Sequence, residues 1–156
     1  MYIMSNCLNQ LRELSFTHRA GRRERNKMQE LILFRGLPGA GKSTLASVLC
    51  DVCLSADDFF MDAEGAYHYD KSQIKEAHEN CLLRTAEAME SGVERIGVAN
   101  TFTEAWEMEP YFRLASAEGY RIHAVIVETR GHYRQNVHGT PISVINYMRS
   151  RFNISL

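Results

Sequence analysis

The chain has 156 residues, which is the size of one ordinary domain. Hydrophobic residues make up 45% of it and charged residues 24%, a composition that excludes a disordered chain as the main state. The net charge of −1 combines a basic segment at residues 1–30 with a mildly acidic remainder. A nucleic acid or acidic partner for this segment is one interpretation of its charge, and a solvated end is the simpler one.

The cysteines are too few and too scattered for a disulfide scaffold; they are Cys7, Cys50, Cys53 and Cys81. The sequence shows no secretory signal and no apolar run long enough to span a membrane. We therefore expect a reduced, cytoplasmic protein without a membrane partner. Cys50 and Cys53 have the spacing of a redox or zinc pair, but without a second pair we interpret them as core thiols.

Strands and helices alternate along the chain after an N-terminal appendage at residues 1–28. Apolar periodicity predicts strands at 31–35, 52–55, 95–99 and 121–128, and helices at 42–50, 70–91, 103–118 and from Pro141 onward. A polar, cationic segment at about 129–140 is predicted to form a lid. Strands separated by helices pair in parallel with right-handed crossovers, so we predict a three-layer α/β/α sandwich over residues 29–156.

Helix ends and faces are also marked in the sequence. Asp70 and Gln73 have capping-box spacing, and Gly92 stands at the other end of the same helix. Pro110 is expected to begin the regular part of the next helix. The final helix is predicted to place its apolar residues on one face, namely Ile142, Ile145, Met148 and Phe152.

A glycine-rich segment follows the first strand directly and opens the first helix. Residues 36–43 read Gly-Leu-Pro-Gly-Ala-Gly-Lys-Ser and match the full P-loop pattern in its proper context. The glycines let backbone N–H groups surround phosphate oxygens, Lys42 reaches the β- and γ-phosphates, and Ser43 offers a hydroxyl to Mg²⁺. We therefore predict a P-loop NTPase fold that binds ATP with Mg²⁺; the nucleotide-binding residues are Gly36, Leu37, Pro38, Gly39, Ala40, Gly41, Lys42, Ser43 and Thr44.

Two carboxylates follow the second strand, at the edge where open α/β sheets bind ligands. Asp57 could take a proton from a hydroxyl nucleophile or contribute to the Mg²⁺ site, and the two roles differ only slightly in reach. Capping of a helix is the structural alternative for this pair. We take Asp57 as a candidate for both chemical roles.

Several short motifs resemble the small P-loop kinases related to polynucleotide 5′-kinases, a group that also includes AAA-family and zeta-toxin-like ATPases. Besides the P-loop, the resemblance is carried by residues 55–60 (Ser-Ala-Asp-Asp-Phe-Phe), 67–69 (Tyr-His-Tyr), 77–79 (Ala-His-Glu), 100–101 (Asn-Thr), 105–108 (Ala-Trp-Glu-Met) and 136–139 (Asn-Val-His-Gly). It extends over residues 31–152. Such kinases phosphorylate hydroxyl groups, typically the 5′-OH of nucleic acid.

The resemblance implies a role for individual residues. Asp57 would be the general base with Asp58 in support, and the lid arginines, Arg134 first and Arg130 second, would clamp the phosphoryl group during transfer. This chain has Ala99 where relatives carry an Asp before Asn-Thr, and Gln135 where they carry an Arg.

Three further polar residues are candidates for the substrate site. His78 matches the family pattern, yet it shares a helical face with Ile74, Cys81 and Thr85, where packing in the core is the alternative. Asn100 and Thr101 could hold the acceptor or order metal-bound water, with capping of the strand end as the alternative. We interpret Trp106 as a helix-packing residue rather than a base-stacking one.

The sequence thus favours a kinase with the catalytic residues Lys42, Asp57 and Arg134, which transfers the ATP γ-phosphoryl group to a hydroxyl acceptor. A nucleic-acid 5′-OH or a nucleotide is the candidate acceptor. An ATPase or ATP-dependent switch and a zeta-toxin-like sugar-nucleotide kinase are the alternatives. The sequence determines neither the acceptor nor the oligomeric state.

Overall fold

The computed structural model describes residues 28–129 and 139–154. Four parallel strands form one sheet in the order β2-β3-β1-β4, where the strands are β1 Glu30–Arg35, β2 Val52–Leu54, β3 Arg95–Ala99 and β4 Arg121–Ile126. The N-terminal appendage before Met28, most of the predicted lid, and with it Arg130 and Arg134, lie outside the described residues.

Helices follow the strands as the sequence predicts: α1 Lys42–Leu49, α2 Ile74–Glu90, α3 Glu109–Glu118 and α4 Ile142–Ser150. Short 3-10 turns at Ala56–Phe60, Lys71–Gln73 and Ala105–Glu107 join these elements. Helix α1 packs on one face of the sheet, whereas α2 and α3 contribute to the core on the other face. The predicted three-layer α/β/α architecture with a parallel sheet is confirmed.

Alternation along β1 divides the core between the two faces of the sheet. Leu31 and Leu33 are fully buried in the larger cluster, which includes residues of α2 and α3. Phe34 points to the other face, where it packs with Ala46 of α1 and Ala99 of β3. Successive side chains of a strand alternate between faces, and both faces of this strand are covered, so its central positions 31–34 are all apolar.

One helix end differs in detail from the prediction. Asp70 does cap, but its carboxylate accepts the N–H of Ser72 at 2.8 Å in the 3-10 turn, and α2 begins only at Ile74. The other end is as predicted, because Gly92 follows the helix with a φ of 76°. Pro110 lies in the first turn of α3, as expected.

The apolar face predicted for the last helix is only partly buried. Ile145 is buried, whereas Ile142 is 68% exposed. The chain after α4 is held instead by Arg35, whose Nε donates to the carbonyl of Phe102 at 3.0 Å and whose terminal nitrogen donates to that of Asn153 at 2.7 Å. The guanidinium also lies over the ring of Phe152, with 5.1 Å to its centroid.

The cysteines of the described residues are free thiols, with Cys81 buried and the other two half-buried. Burial, and secondarily the neighbouring Cys53, raises the pKa of Cys50 to about 11, so this thiol is not a reactive thiolate at neutral pH. These observations agree with the interpretation as core thiols. Among the residues described, no helix combines the length and apolarity needed to cross a membrane.

Candidate active site

The P-loop lies where the ends of three strands meet. The N–H of Gly36 donates to the carbonyl of Thr101, beyond β3, at 3.1 Å. A Cβ atom on Gly36 would stand 2.4 Å from the carbonyl oxygen of Val127, beyond β4, so only glycine fits there. The hydroxyl of Thr129 donates to the carbonyl of Ala40 at 2.9 Å. Contacts from both neighbouring strands therefore fix the start and the middle of the loop.

The loop turns directly into α1 without a side-chain cap. Gly39 and Gly41 have φ angles of 81° and 89°, which residues with side chains rarely adopt. Gly41 is the N-cap and has no side-chain oxygen to accept the first N–H groups of the helix, and Ser43 and Thr44 are exposed in its first turn. Open N–H groups at the positive end of a helix form an anion-binding site.

Lys42 directs its ammonium group into this site. Its Nζ donates to the carbonyl of Leu37 at 3.1 Å within the loop itself. Burial lowers the pKa of Lys42 to about 8, and the negative charge of Asp57 opposes that shift. The carboxylate predicted as catalytic base and the lysine predicted to bind phosphate therefore act on each other electrostatically.

Asp57 stands on a short turn that begins immediately after β2. Ser55 caps this turn, because its hydroxyl accepts the N–H of Asp57 at 3.2 Å while the carboxylate of Asp58 accepts the N–H of Ser55 at 2.9 Å. Asp58 also pairs with Arg84 of α2 at 3.0 Å. The geometry thus gives Asp58 a structural part in holding the turn, in line with its expected supporting role.

Asn100 connects this turn to the end of β3. It is only 6% exposed, and its side-chain oxygen accepts the N–H of Ala56 at 2.9 Å and the hydroxyl of Ser55 at 3.3 Å. Its amide nitrogen points to the sulfur of Cys81 at 3.7 Å. These contacts occupy the carboxamide, so the geometry favours a positioning role for Asn100 over the predicted contact with the acceptor.

Tyr67 contacts the candidate base directly, and the sequence interpretation gave it no role. Its hydroxyl donates to Oδ1 of Asp57 at 3.2 Å. Burial raises the pKa of Tyr67, and the Asp57 carboxylate raises it further, so the phenol remains a protonated donor. Residues 67–69 belong to the family pattern noted above, which was the one signal for this residue in the sequence.

His78 is also close to these charges. His78 as a residue is exposed, although Ala77 and Cys81 beside it are buried, so the structure does not support packing in the core, the alternative to its candidate role at the substrate site. Desolvation of the imidazole still lowers its pKa, against the opposing effect of Glu107 and Asp57. A neutral imidazole near Asp57 at neutral pH can accept or donate a hydrogen bond to a substrate.

Two aromatic or apolar positions complete the comparison with the sequence. Trp106 is 63% exposed, and its indole N–H donates to Glu104 at 2.9 Å, so the predicted helix packing is wrong. Ala99 is buried against Phe34 and Ala46. The position where related kinases were expected to carry an Asp is thus part of the apolar cluster beneath α1.

Comparison with known proteins agrees with this geometry. The human NEDD4-binding protein 2 is 36% identical over 133 residues, which cover 78% of this chain but only 8% of the relative. This chain thus spans a small fraction of that protein. A structure of a Pnkp1/Rnl/Hen1 complex superimposes with a TM-score of 0.54 at 14% identity, over 81% of this chain and 40% of the other.

A second solved structure, a putative kinase from Chloroflexus aurantiacus, superimposes with a TM-score of 0.51 at 20% identity, over 66% of this chain and 61% of that one. At these identities the two structures support the fold alone. The sequence model of an AAA domain family matches residues 31–138, which is more than half of the chain. The chain therefore belongs to this AAA domain family and has the P-loop kinase-like fold.

Proposed function

We propose that this protein is an ATP-dependent kinase that transfers the γ-phosphoryl group to a hydroxyl acceptor. The observation that carries the proposal is the position of Asp57, which is bonded to Tyr67 and lies close enough to the P-loop lysine to act on its pKa. A carboxylate next to the phosphate site can also hold Mg²⁺ in a P-loop ATPase or switch. A kinase needs one to take the proton of the attacking hydroxyl.

Each residue of the site has a part in this reaction. Lys42 and the open N–H groups of α1 hold the phosphates and neutralise charge that spreads over the transferring group. The acceptor oxygen attacks phosphorus, its proton passes to Asp57, and the bond between phosphorus and the leaving oxygen of ADP breaks. Tyr67 would orient the carboxylate, since its hydroxyl donates to Oδ1 of Asp57.

A Mg²⁺ ion fits the donor atoms present. The hydroxyl of Ser43 and the carboxylate of Asp57 are hard oxygen ligands, which Mg²⁺ prefers, and it usually takes few protein ligands beside phosphate and water. Bound there, the ion would reduce the negative charge of the phosphates. We further propose that Arg134, and secondarily Arg130, clamp the transferring group; both belong to the segment outside the described residues.

Replacement of Asp57 by Asn tests the central assignment. Asn keeps the shape of the side chain but cannot take the proton, so we expect transfer to fall by about 100-fold or more while ATP binding is preserved. Asp51→Asn is a matched control, because Asp51 precedes β2 at the opposite edge of the sheet, where its carboxylate accepts the N–H of Arg95. Transfer at the original rate in D57N would disprove the role as base.

The acceptor is found by incubating the protein with ATP labelled in the γ-phosphate and a panel of 5′-OH oligonucleotides, nucleosides and sugar nucleotides. Label in a nucleic acid or nucleotide supports the leading proposal, and label in a sugar nucleotide supports a zeta-toxin-like activity. Release of phosphate alone supports an ATPase or switch. The buried Ala99 favours that last alternative, because it leaves no carboxylate at the end of β3.

A further inference from the structure

Immediately after the turn that carries Asp57, the chain folds back in a compact hairpin. Met61 and Tyr67 form an antiparallel bridge, and the N–H of His68 donates to the carbonyl of Phe60 at 2.8 Å. The carboxylate of Asp62 accepts two N–H groups of the connecting turn and contacts His68 at 2.7 Å. These local hydrogen bonds fix the hairpin relative to Asp57.

The hairpin presents two tyrosines on a buried aromatic support. The rings of Tyr67 and Tyr69 are nearly parallel, with an interplanar angle of 19° and 6.4 Å between centroids. Phe60 is buried and contacts both, at centroid distances of 6.0 Å and 5.4 Å. Tyr69 is nevertheless 55% exposed. The core therefore holds its ring in place while much of the residue remains open to solvent.

The tyrosine pair, Tyr67 and Tyr69, begins at the candidate base itself. The Tyr67 hydroxyl is bonded to Asp57, so the ring of Tyr67 lies one phenol length from the carboxylate. An acceptor whose hydroxyl reaches Asp57 would bring the group next to that hydroxyl toward the tyrosines. In a nucleoside, a single sugar separates the 5′-hydroxyl from a flat aromatic base. That separation is comparable to the one between the Asp57 carboxylate and the ring of Tyr67.

We propose that the tyrosine pair is a stacking surface for the nucleobase of the phosphoryl acceptor, an inference that rests on the kinase function proposed above. Base-to-tyrosine stacking is strong and tolerant of sequence, because every base has a π face. The pair would thus select acceptors that carry a base next to the hydroxyl over sugars and alcohols without one. It would discriminate little among the four bases.

Equilibrium binding tests this proposal without depending on transfer. A short 5′-OH oligonucleotide labelled at its 3′ end is titrated with the protein and a non-hydrolysable ATP analogue, and fluorescence anisotropy is measured. The matched probe lacks only the base of its 5′ nucleotide. We expect Tyr69→Ala to weaken binding of the complete oligonucleotide by about tenfold or more and to leave the abasic one unchanged.

Tyr69→Phe is the conservative control, because it keeps the ring and should bind like the parent protein. Thermal melting establishes that the alanine variant is folded, and titration with ATP establishes that its nucleotide site is intact. The proposal is overturned if the parent protein binds the complete and abasic probes equally, or if the alanine variant keeps the difference between them.

A transfer assay with the same probes separates this proposal from the kinase assignment. If the base strengthens binding but no label is transferred, stacking stands and the kinase function is disproved. If the parent protein and Tyr69→Ala both transfer label equally to the complete and abasic probes, the kinase function stands and stacking is disproved. A nucleoside 3′-phosphate run in parallel distinguishes a single nucleotide from a strand as the source of the base.

Discussion

The P-loop and the acidic arm, residues 55–69, face each other across the site but are held in different ways. Backbone groups shape the P-loop, and even Lys42 is bonded to the carbonyl of Leu37 five residues earlier. The acidic arm depends on side chains from distant parts of the chain: Asn100 follows β3, and Arg84 belongs to α2. The candidate phosphate site is therefore built from residues close in sequence, whereas the position of Asp57, the proposed base, depends on tertiary contacts.

This difference has consequences for substitution. A change in the P-loop should act on nucleotide binding first, because the loop contacts the phosphates through its own atoms. A change in the supports of the acidic arm should leave nucleotide binding largely intact and displace Asp57. Misplacement of a catalytic group by about 1 Å can cost about 100-fold in rate.

The largest effect is expected from Lys42→Met. Loss of the ammonium removes a charged contact to phosphate, so ATP affinity measured by calorimetry should fall by roughly 100-fold. The nucleotide-free variant should be at least as stable as the parent in thermal melting, because burial of the charge is unfavourable. Lys75→Met is the matched control, because Lys75 is exposed in an ion pair with Glu79. Neither the ATP affinity nor the melting temperature of this variant should change appreciably. Unchanged ATP affinity in K42M would contradict the assignment of the P-loop.

The pH dependence sharpens this test. The pKa of Lys42 is lowered to about 8 in the free protein, and bound phosphates favour the charged form, so ATP affinity should decline above pH 8 with proton uptake on binding. Between pH 8 and the ordinary value of 10.5 the unfolded chain binds more protons than the folded one, so this group makes stability rise with pH in that window. K42M should lose this pH dependence of ATP affinity and this pH dependence of stability.

Asn100→Ala should break the acidic arm with an intermediate effect. It leaves the buried N–H of Ala56 and the hydroxyl of Ser55 without their acceptor, which should cost about 2 kcal/mol of stability. Transfer should fall about ten- to 100-fold, with ATP affinity retained. In the control Thr85→Val, the buried hydroxyl loses its bond to the carbonyl of Cys81 in the same helix while the bonds of Asn100 to the turn remain, so stability should fall without loss of transfer. Equal transfer rates in N100A and T85V would refute the positioning role.

Arg84→Ala should have the smallest effect. The pair between Arg84 and Asp58 is half exposed, so it should contribute about 1 kcal/mol or less, and Asp58 still accepts the N–H of Ser55 without it. Denaturant unfolding measures the loss of stability, and a transfer assay measures the loss of activity. Arg113→Ala, which breaks an exposed ion pair with Glu109, is the comparison. A large loss of transfer in R84A alone would show that this ion pair, not Asn100, positions the arm.

Much of the fold could be predicted because its signals are local. Alternating strands and helices, the glycines of residues 36–41 and the stop at Gly92 each depend on neighbouring residues, and the structure has these elements within a few residues of the predicted bounds. The error concerns the packing of one side chain rather than an element. Trp106 has the apolar character of a packed residue, but whether another element covers it depends on the packing of distant segments.

The sequence by itself determined the phosphate-binding loop, since backbone conformation and one lysine are enough to specify it. It also placed Asp57 at the end of β2. Only the tertiary structure decided that Asn100 bonds the turn after β2, and that Tyr67 bonds the candidate base. The first contact joins residues 44 positions apart and exists only once the parallel strands β2 and β3 bring their carboxyl ends to one edge of the sheet. The second joins residues 10 positions apart and needs the hairpin to fold back on the turn.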